Sequence, residues 1–268
     1  MQIMFLNTWG GRLYEELHAY LSQSQADILC LQEIVHTPTA PTDWLTYRDT
    51  GITLPQRARL FDDLRTALPD HDAVFCPAAR GDLFHDDTPI PSQWGLATFI
   101  HRRHILIAQI QDLVFRSFSA DGYGAHPRSR SGHVVRVFDT ATNIPITIAH
   151  MHGLRDPAAG KVDTPDRAHQ IARFVQMIRA IHRPGERLVV GGDFNVLPGS
   201  ATLRSLENEG LTDLVTSHGF SGTRTRHYTK PGRFADYLMV NQTVPVRSFD
   251  VVQDPAVSDH CALVLDIA

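Results

Sequence analysis

The chain has 268 residues, 43% of them hydrophobic and 20% charged, with 25 Lys+Arg against 29 Asp+Glu for a net charge of −4. This make-up fits a soluble globular protein long enough to bury a sizeable core, and it excludes a disordered chain. The slight acidity also argues against sequence-independent wrapping of duplex DNA, which calls for an excess of basic residues.

Taken in chain order, IMFL (3–6) is the first run of strand length. A helical spacing of Leu13, Leu17, Tyr20 and Leu21 follows, and then the strand DILCL (27–31). A weaker helix is predicted over Arg57 to Leu68. Further strands are predicted at GLATFI (95–100), VVRVF (134–138), ITIA (146–149), LVVGG (188–192), DYLMV (236–240) and ALVLDI (262–267). Several are apolar on both faces, as in strands sandwiched between layers. Ile171, Phe174, Val175 and Ile178 mark a helix that Thr164-Pro165 caps and opens, and a short helix follows Gly199. The segments Val35–Pro55, Arg80–Ser92 and Ser117–Gly132 are polar and broken by Pro or Gly, and they read as surface loops. With no Gly/Ser linker and no internal repeat, one α/β domain over 1–268 is expected, its strands buried in central sheets.

No apolar run reaches the about 18 residues of a membrane helix, so no membrane anchor is expected. The N-terminus MQIMFLNTWGG lacks the layout of a secretory signal. Three cysteines (Cys30, Cys76, Cys261) without a C-x-x-C pair argue against a disulfide framework or structural zinc. A cytoplasmic monomer with buried, unreactive thiols is expected. Only two lysines occur, Lys161 and Lys230, so nearly all positive charge is arginine. That suits bidentate phosphate contacts, and GC-rich coding produces the same bias.

Chemistry gathers where apolar strands end on carboxylates, amides or imidazoles: LNTWG (Asn7), CLQE (Glu33), AHMHG (His150, His152), GGDFN (Asp193, Asn195) and SDH (Asp259, His260). RFADYLMV places Asp236 at the start of another strand. One Asp or Asn beside glycines is ordinarily a turn former, whereas six such segments call for a common cause. The hard oxygens of Asn7, Glu33, Asp193, Asn195 and Asp259 suit Mg²⁺ or Mn²⁺. Histidines beside them suit phosphoryl-charge stabilisation or proton transfer. Residues two apart share a strand face, so His150 and His152 can reach one pocket.

CLQE, GGDFN and SDH in this order, with the N-terminal Asn and the intervening strand–His segment, resemble the endonuclease/exonuclease/phosphatase (DNase I-like) superfamily. The resemblance runs from Asn7 to His260 and implies a four-layered α/β sandwich: two mixed, mostly antiparallel sheets face to face, helices outside, and the site at one end. It implies Glu33 as principal metal ligand with Asn7 assisting, and Asp259 supporting metal or solvent. Asp193 and Asn195 would orient the attacking water and contact the phosphate. His260 would contact the scissile phosphate with Asp236 orienting it. His152 matches the second family histidine, HGL replacing the usual THL, with His150 as competitor.

The implied activity is Mg²⁺- or Mn²⁺-dependent hydrolysis of a phosphate ester by in-line attack of water, a diester before a monoester, on nucleic acid, nucleotide, inositol phosphate or phospholipid. A non-catalytic binding module would show loss of Glu33, Asp193, Asn195, Asp236 or His260, and all are present. Substrate contacts are sought in Arg128 and Arg130 of HPRSRSG and in Tyr123. Arg224, Arg226 and His227 form a similar cluster, and Lys161 and Arg167 follow His152. Solvated loops and a helix cap account for such basic segments equally well. Trp94 reads as a packing residue.

Overall fold

Ile3 and Phe5 turn one way from the first strand and Met4 and Leu6 the other, and the two pairs end in separate cores. Ile28 and Cys30 of the second strand join the first core, Leu29 and Leu31 the second. This period-2 division makes a sheet that is apolar on both faces. The computed structural model describes every residue except 121 and 123.

The strands are β1 (Gln2–Asn7), β2 (Ile28–His36), β3 (Trp44–Asp49), β4 (Ile52–Arg57), β5 (His71–His85), β6 (Thr88–His101) and β7 (His104–Phe115). After them come β8 (Arg130–Asp139), β9 (Ile144–Met151), β10 (Arg187–Asp193), β11 (Leu211–Asp213), β12 (Asp236–Asn241), β13 (Val246–Val252) and β14 (Ala262–Ile267). Helices are α1 (Tyr14–Ser22), α2 (Leu60–Ala67), α3 (Pro165–Ile181), α4 (Ala201–Glu207) and the single turn α5 (Leu214–Ser217). Eight strands form one sheet in the order β13-β14-β1-β2-β6-β5-β3-β4, and six form the other, β11-β12-β10-β9-β8-β7. Of the strand pairs among the described residues, β1–β2 and β9–β10 are parallel and the others antiparallel. Phe5 meets Gly191 between the sheets. Leu17 and Leu21 of α1 and Leu60, Phe61 and Leu64 of α2 cover the larger sheet, while Phe174 and Met177 of α3 lie over Gly132 on the outer face of the smaller one. The result is the four-layered sandwich.

The eight expected strands all form. The loops expected at Val35–Pro55 and Arg80–Ser92 are instead largely strand: β3 and β4 make a hairpin, and β5 and β6 a long one through residues 85–88. They read as loops because Pro55, Pro89 and Pro91 interrupt half-exposed, polar strands towards the sheet's far edge. α3 begins as expected, with Thr164 Oγ1 accepting from Arg167 N–H at 3.3 Å. Cys30, Cys76 and Cys261 are buried free thiols. Among the described residues, no helix is long and apolar enough to cross a membrane.

A polar thread crosses the interior between the sheets. Gln32 Nε2 donates to Cys30 O (2.9 Å) and to His150 Nδ1 (3.2 Å), which fixes the proton of His150 on Nε2. That proton goes to Thr98 Oγ1 (2.8 Å), whose own hydroxyl proton goes to His133 Nδ1 (2.7 Å). His133 Nε2 ends the thread on Gln109 Oε1 (3.2 Å). Each link donates once in the same direction, so both imidazoles are neutral.

Candidate active site

The parallel strands β1, β2, β9 and β10 all end at one rim of the sandwich, where the antiparallel β12 and β14 begin. Their ends carry the expected residues: Asn7 closes β1, Asp193 closes β10, Asp236 opens β12 directly opposite Asp193, and His260 precedes β14. His152 follows β9. Glu33 sits within β2, where the register with β6 shifts between Leu31 and Ile34. Its φ of +56° re-aims the side chain into the site, the ordinary work of a bulge. Trp9 (φ +54°) and Asn195 (φ +54°) are left-handed too, so half of the six non-glycine residues with positive φ among the described residues lie at this rim.

Asn7 Nδ2 donates to Glu33 Oε1 (3.1 Å) and to Asp193 Oδ2 (3.0 Å), while its Oδ1 accepts from Trp9 N–H (3.0 Å). Asn7 therefore braces two carboxylates with its nitrogen. Its oxygen, expected to assist a metal, accepts that one N–H and keeps a second lone pair. Asp193 Oδ1 accepts from Asn195 N–H (3.0 Å), and its Oδ2 faces His152 Nε2 (3.5 Å) and His260 Nε2 (3.7 Å). His152 also lies 3.9 Å from Glu33 Oε1. Of the two candidate histidines, His152 stands in the site. His150 shares its face but is held in the interior thread.

His260 Nδ1 lies 2.8 and 2.9 Å from the two oxygens of Asp236, and Thr223 Oγ1 donates to Asp236 Oδ2 (2.9 Å). On its other side His260 Nε2 meets Arg224 Nη1, which also donates to Asp259 Oδ2 (2.8 Å). Ser258 Oγ accepts from His260 N–H and donates to Asn7 O, tying β1 to the terminal motif.

Burial sets the electrostatics, and the neighbours then decide the sign. Burial opposes charge on Asp193, yet His260, His152, Arg224 and Lys161 together hold its carboxyl well below the usual range. Burial and the charges of Asp259 and Asp193 raise Glu33. Burial disfavours the imidazolium of His260, but Asp236, Asp259 and Asp193 outweigh it and raise its pKa. Burial and the Arg130 guanidinium push His152 down to about 3.

Asp193, Asp236 and His260 bring ligand atoms within 4.8 Å of one another, a geometry also given by an imidazole oriented on its carboxylate. The donor set better suited to a hard cation includes Glu33 and Asp259. Buried Asp259 Oδ1 has no hydrogen-bond partner among the described residues, and Glu33 is raised by neighbouring carboxylates that a divalent ion would offset. These residues fit Mg²⁺ or Mn²⁺.

A cavity of about 720 Å³ opens over this rim. Arg130 lines it, donating to Gly153 O (3.1 Å) and Ser129 O (3.1 Å). Arg128 lines it as well, but its guanidinium is engaged by Asp49 Oδ2 (2.9 Å) and Tyr47 OH (2.5 Å). Tyr123 lies outside the described residues. Arg226 is exposed and pairs with Asp254 (3.5 Å), whereas Arg224 is buried in the site itself. Trp94 both lines the cavity and packs edge-on to Tyr47. Sequence reasoning assigned no role to Thr223, which holds Asp236, to Ser258 at the head of the SDH motif, which holds Asn7 O, or to Arg155 and Tyr228, which line the cavity. The pairing of Arg224 with His260 across a backbone bridge also escaped it.

Carboxylates and oriented imidazoles at one end of a four-layered sandwich define a phosphoric-ester hydrolase. The chain belongs to the Endonuclease/Exonuclease/phosphatase family, whose model matches residues 4–260. Among solved structures it is similar to a mannosyl-6-phosphatase of Bacteroides thetaiotaomicron (TM-score 0.69, 13% identity, 100% of this chain and 99% of that one). It is also similar to the human Nocturnin catalytic domain (0.65, 18%, 100% and 93%) and to humanized D. rerio TDP2 (0.63, 14%, 100% and 98%). No curated protein matches the sequence significantly.

Proposed function

We propose that the protein hydrolyses a phosphodiester with Mg²⁺ or Mn²⁺, by in-line attack of a water held at Asp193. The observation that carries this reading is the convergence of His152 (3.5 Å) and His260 (3.7 Å) on one oxygen of Asp193. A carboxylate kept ionised there turns a water towards phosphorus and takes its proton as the new P–O bond forms, while the P–O bond opposite breaks and the departing alkoxide takes a proton from solvent. His260, oriented by Asp236, donates to a phosphoryl oxygen as charge develops, and His152 and Arg130 grip the same group. Glu33 and Asp259 would hold the cation, with Asn7 bracing Glu33. When bound, it supplies Lewis-acid stabilisation of the phosphoryl oxygens.

A phosphomonoester is the second reading, favoured by the bounded, arginine-lined cavity. The test is release of nitrophenol from bis(p-nitrophenyl) phosphate beside p-nitrophenyl phosphate, with Mg²⁺, Mn²⁺ or EDTA. Metal-dependent cleavage of the diester that disappears in His260→Ala supports the proposal. Cleavage of the monoester alone transfers the assignment to the second reading. Metal-independent turnover, or full activity in His260→Ala, overturns both.

A further inference from the structure

In a chain of net charge −4, eight of the 25 Lys+Arg line this one cavity, facing four carboxylates among the described residues. Both lysines of the chain, Lys161 and Lys230, are among them, brought in by separate loops. Arg128 and Arg224 are paired with Asp49 and Asp259. The other six cations of the cavity have no carboxylate within ion-pair distance among the described residues. A reacting diester brings one negative charge and a monoester at most two, so either leaves a surplus that a bound divalent ion would enlarge.

The surplus is held in place by dedicated structure. Residues 155–161 fold into a tight loop, with Asp156 Oδ1 accepting from Ala158 N–H (2.9 Å) and Ala159 N–H (3.1 Å) and its carbonyl from Gly160 N–H (2.8 Å). Arg167, only 2% exposed, donates to Leu154 O (2.9 Å), Gly160 O (2.6 Å) and Val162 O (3.1 Å) and so pins both flanks of that loop onto α3. The loop delivers Lys161 into the cavity, where its ammonium donates to Phe234 O. That is one bond for three donor hydrogens, on a half-buried cation facing Asp193 and Arg224. Across the cavity, Ile52 and Leu54 of the β3–β4 hairpin form an apolar wall. The volume is that of a site for a small molecule.

We infer that the substrate is a small molecule carrying a second anionic group besides the reacting phosphate, and that Lys161 and Arg155, with Lys230 at the mouth, form the subsite that holds it. This rests on the phosphoesterase reading and adds the substrate class. Charge-assisted contacts from the held ammonium of Lys161 and the exposed guanidinium of Arg155 on the same loop give such a subsite its selectivity.

The test compares glucose 6-phosphate with glucose 1,6-bisphosphate, which share a ring and differ by one phosphate. Binding to the metal-free protein is read by calorimetry, and hydrolysis is read separately with Mn²⁺. The bisphosphate is expected to bind at least about tenfold more tightly. Lys161→Met and Arg155→Ala should each bring the ratio towards one, and Lys161→Arg should restore it. Arg226→Ala, an exposed cation outside the cavity, should leave it unchanged. Equal binding of the two sugars by the wild type, or an equal loss of selectivity in Arg226→Ala, overturns the subsite. If both bind as expected but neither they nor bis(p-nitrophenyl) phosphate is turned over with Mn²⁺, the subsite stands and the hydrolytic assignment falls.

Discussion

His260 turns Nδ1 onto both oxygens of Asp236, at 2.8 and 2.9 Å, and so commits Nε2 to the cavity side. The pairing fixes which nitrogen faces the reacting group and raises the affinity of the imidazole for a proton. Asp236→Asn keeps the shape but offers an amide that can donate to Nδ1 and invert the tautomer. Its kcat on the aryl diester should fall by about a hundredfold or more, with KM changed little. A loss below about tenfold at saturating Mn²⁺ would remove Asp236 from the reaction.

Metal dependence has its own readout in stability. Mn²⁺ at millimolar concentration should raise the Tm of the wild type, because a cation at Glu33 and Asp259 binds only the folded state. Glu33→Gln should abolish most of that rise and shift half-activation to at least about tenfold more metal. Equal metal-induced stabilisation of the wild type and Glu33→Gln would place the cation elsewhere.

The interior thread predicts a stability that falls in mild acid. Burial pushes His133 down to about 4. His150 goes further down through burial and the neighbouring His133. Both are neutral in the folded state, whereas the unfolded chain takes up these protons near pH 6.5. Their contribution is therefore complete above about pH 7 and is lost as the pH falls from 6.5 towards 4. Urea midpoints should drop between pH 7 and pH 5, and Thr98→Val, which strands one donor and one acceptor, should cost about 2–3 kcal/mol at pH 7. A midpoint flat across this interval would contradict the neutral assignment.

At the opposite end of the sandwich, buried Asp27 accepts from Gln2 N–H (2.8 Å) and His104 Nε2 (2.6 Å) and pairs with Arg103. Burial opposes its charge, but these partners hold it down to about 2. Its stabilisation is thus present above about pH 4 and fades as the pH approaches 2. Asp27→Asn should destabilise the fold by about 3–5 kcal/mol at pH 7 while leaving catalysis by the remaining folded protein intact. Chemical denaturation and an activity assay of the folded fraction check both halves.

The strands legible in the sequence are those with an apolar face on each side, such as β1, β2 and β10. β7 was not legible, because as an edge strand it leaves Ile105, Leu106 and Ile107 exposed among polar residues and follows no clean period. β5 was hidden by Pro77 and Gly81 within its span. In the site, Glu33, Asp193, Asp236 and His260 could be read because each lies in or beside a legible strand. Arg224 and Arg226 could not be told apart from TRTRH alone. Pairing across the chain buries the first against Asp259 and leaves the second in solvent beside Asp254.

Trp9, Glu33 and Asn195 hold backbone conformations that glycine would adopt without penalty. Each keeps a side chain there at some cost in folding free energy, so conformational strain gathers at the rim of the candidate site. Selection for thermal robustness alone would drift towards glycine at these three places, and under the proposed chemistry a sturdier molecule that had lost Glu33 would have lost its cation as well.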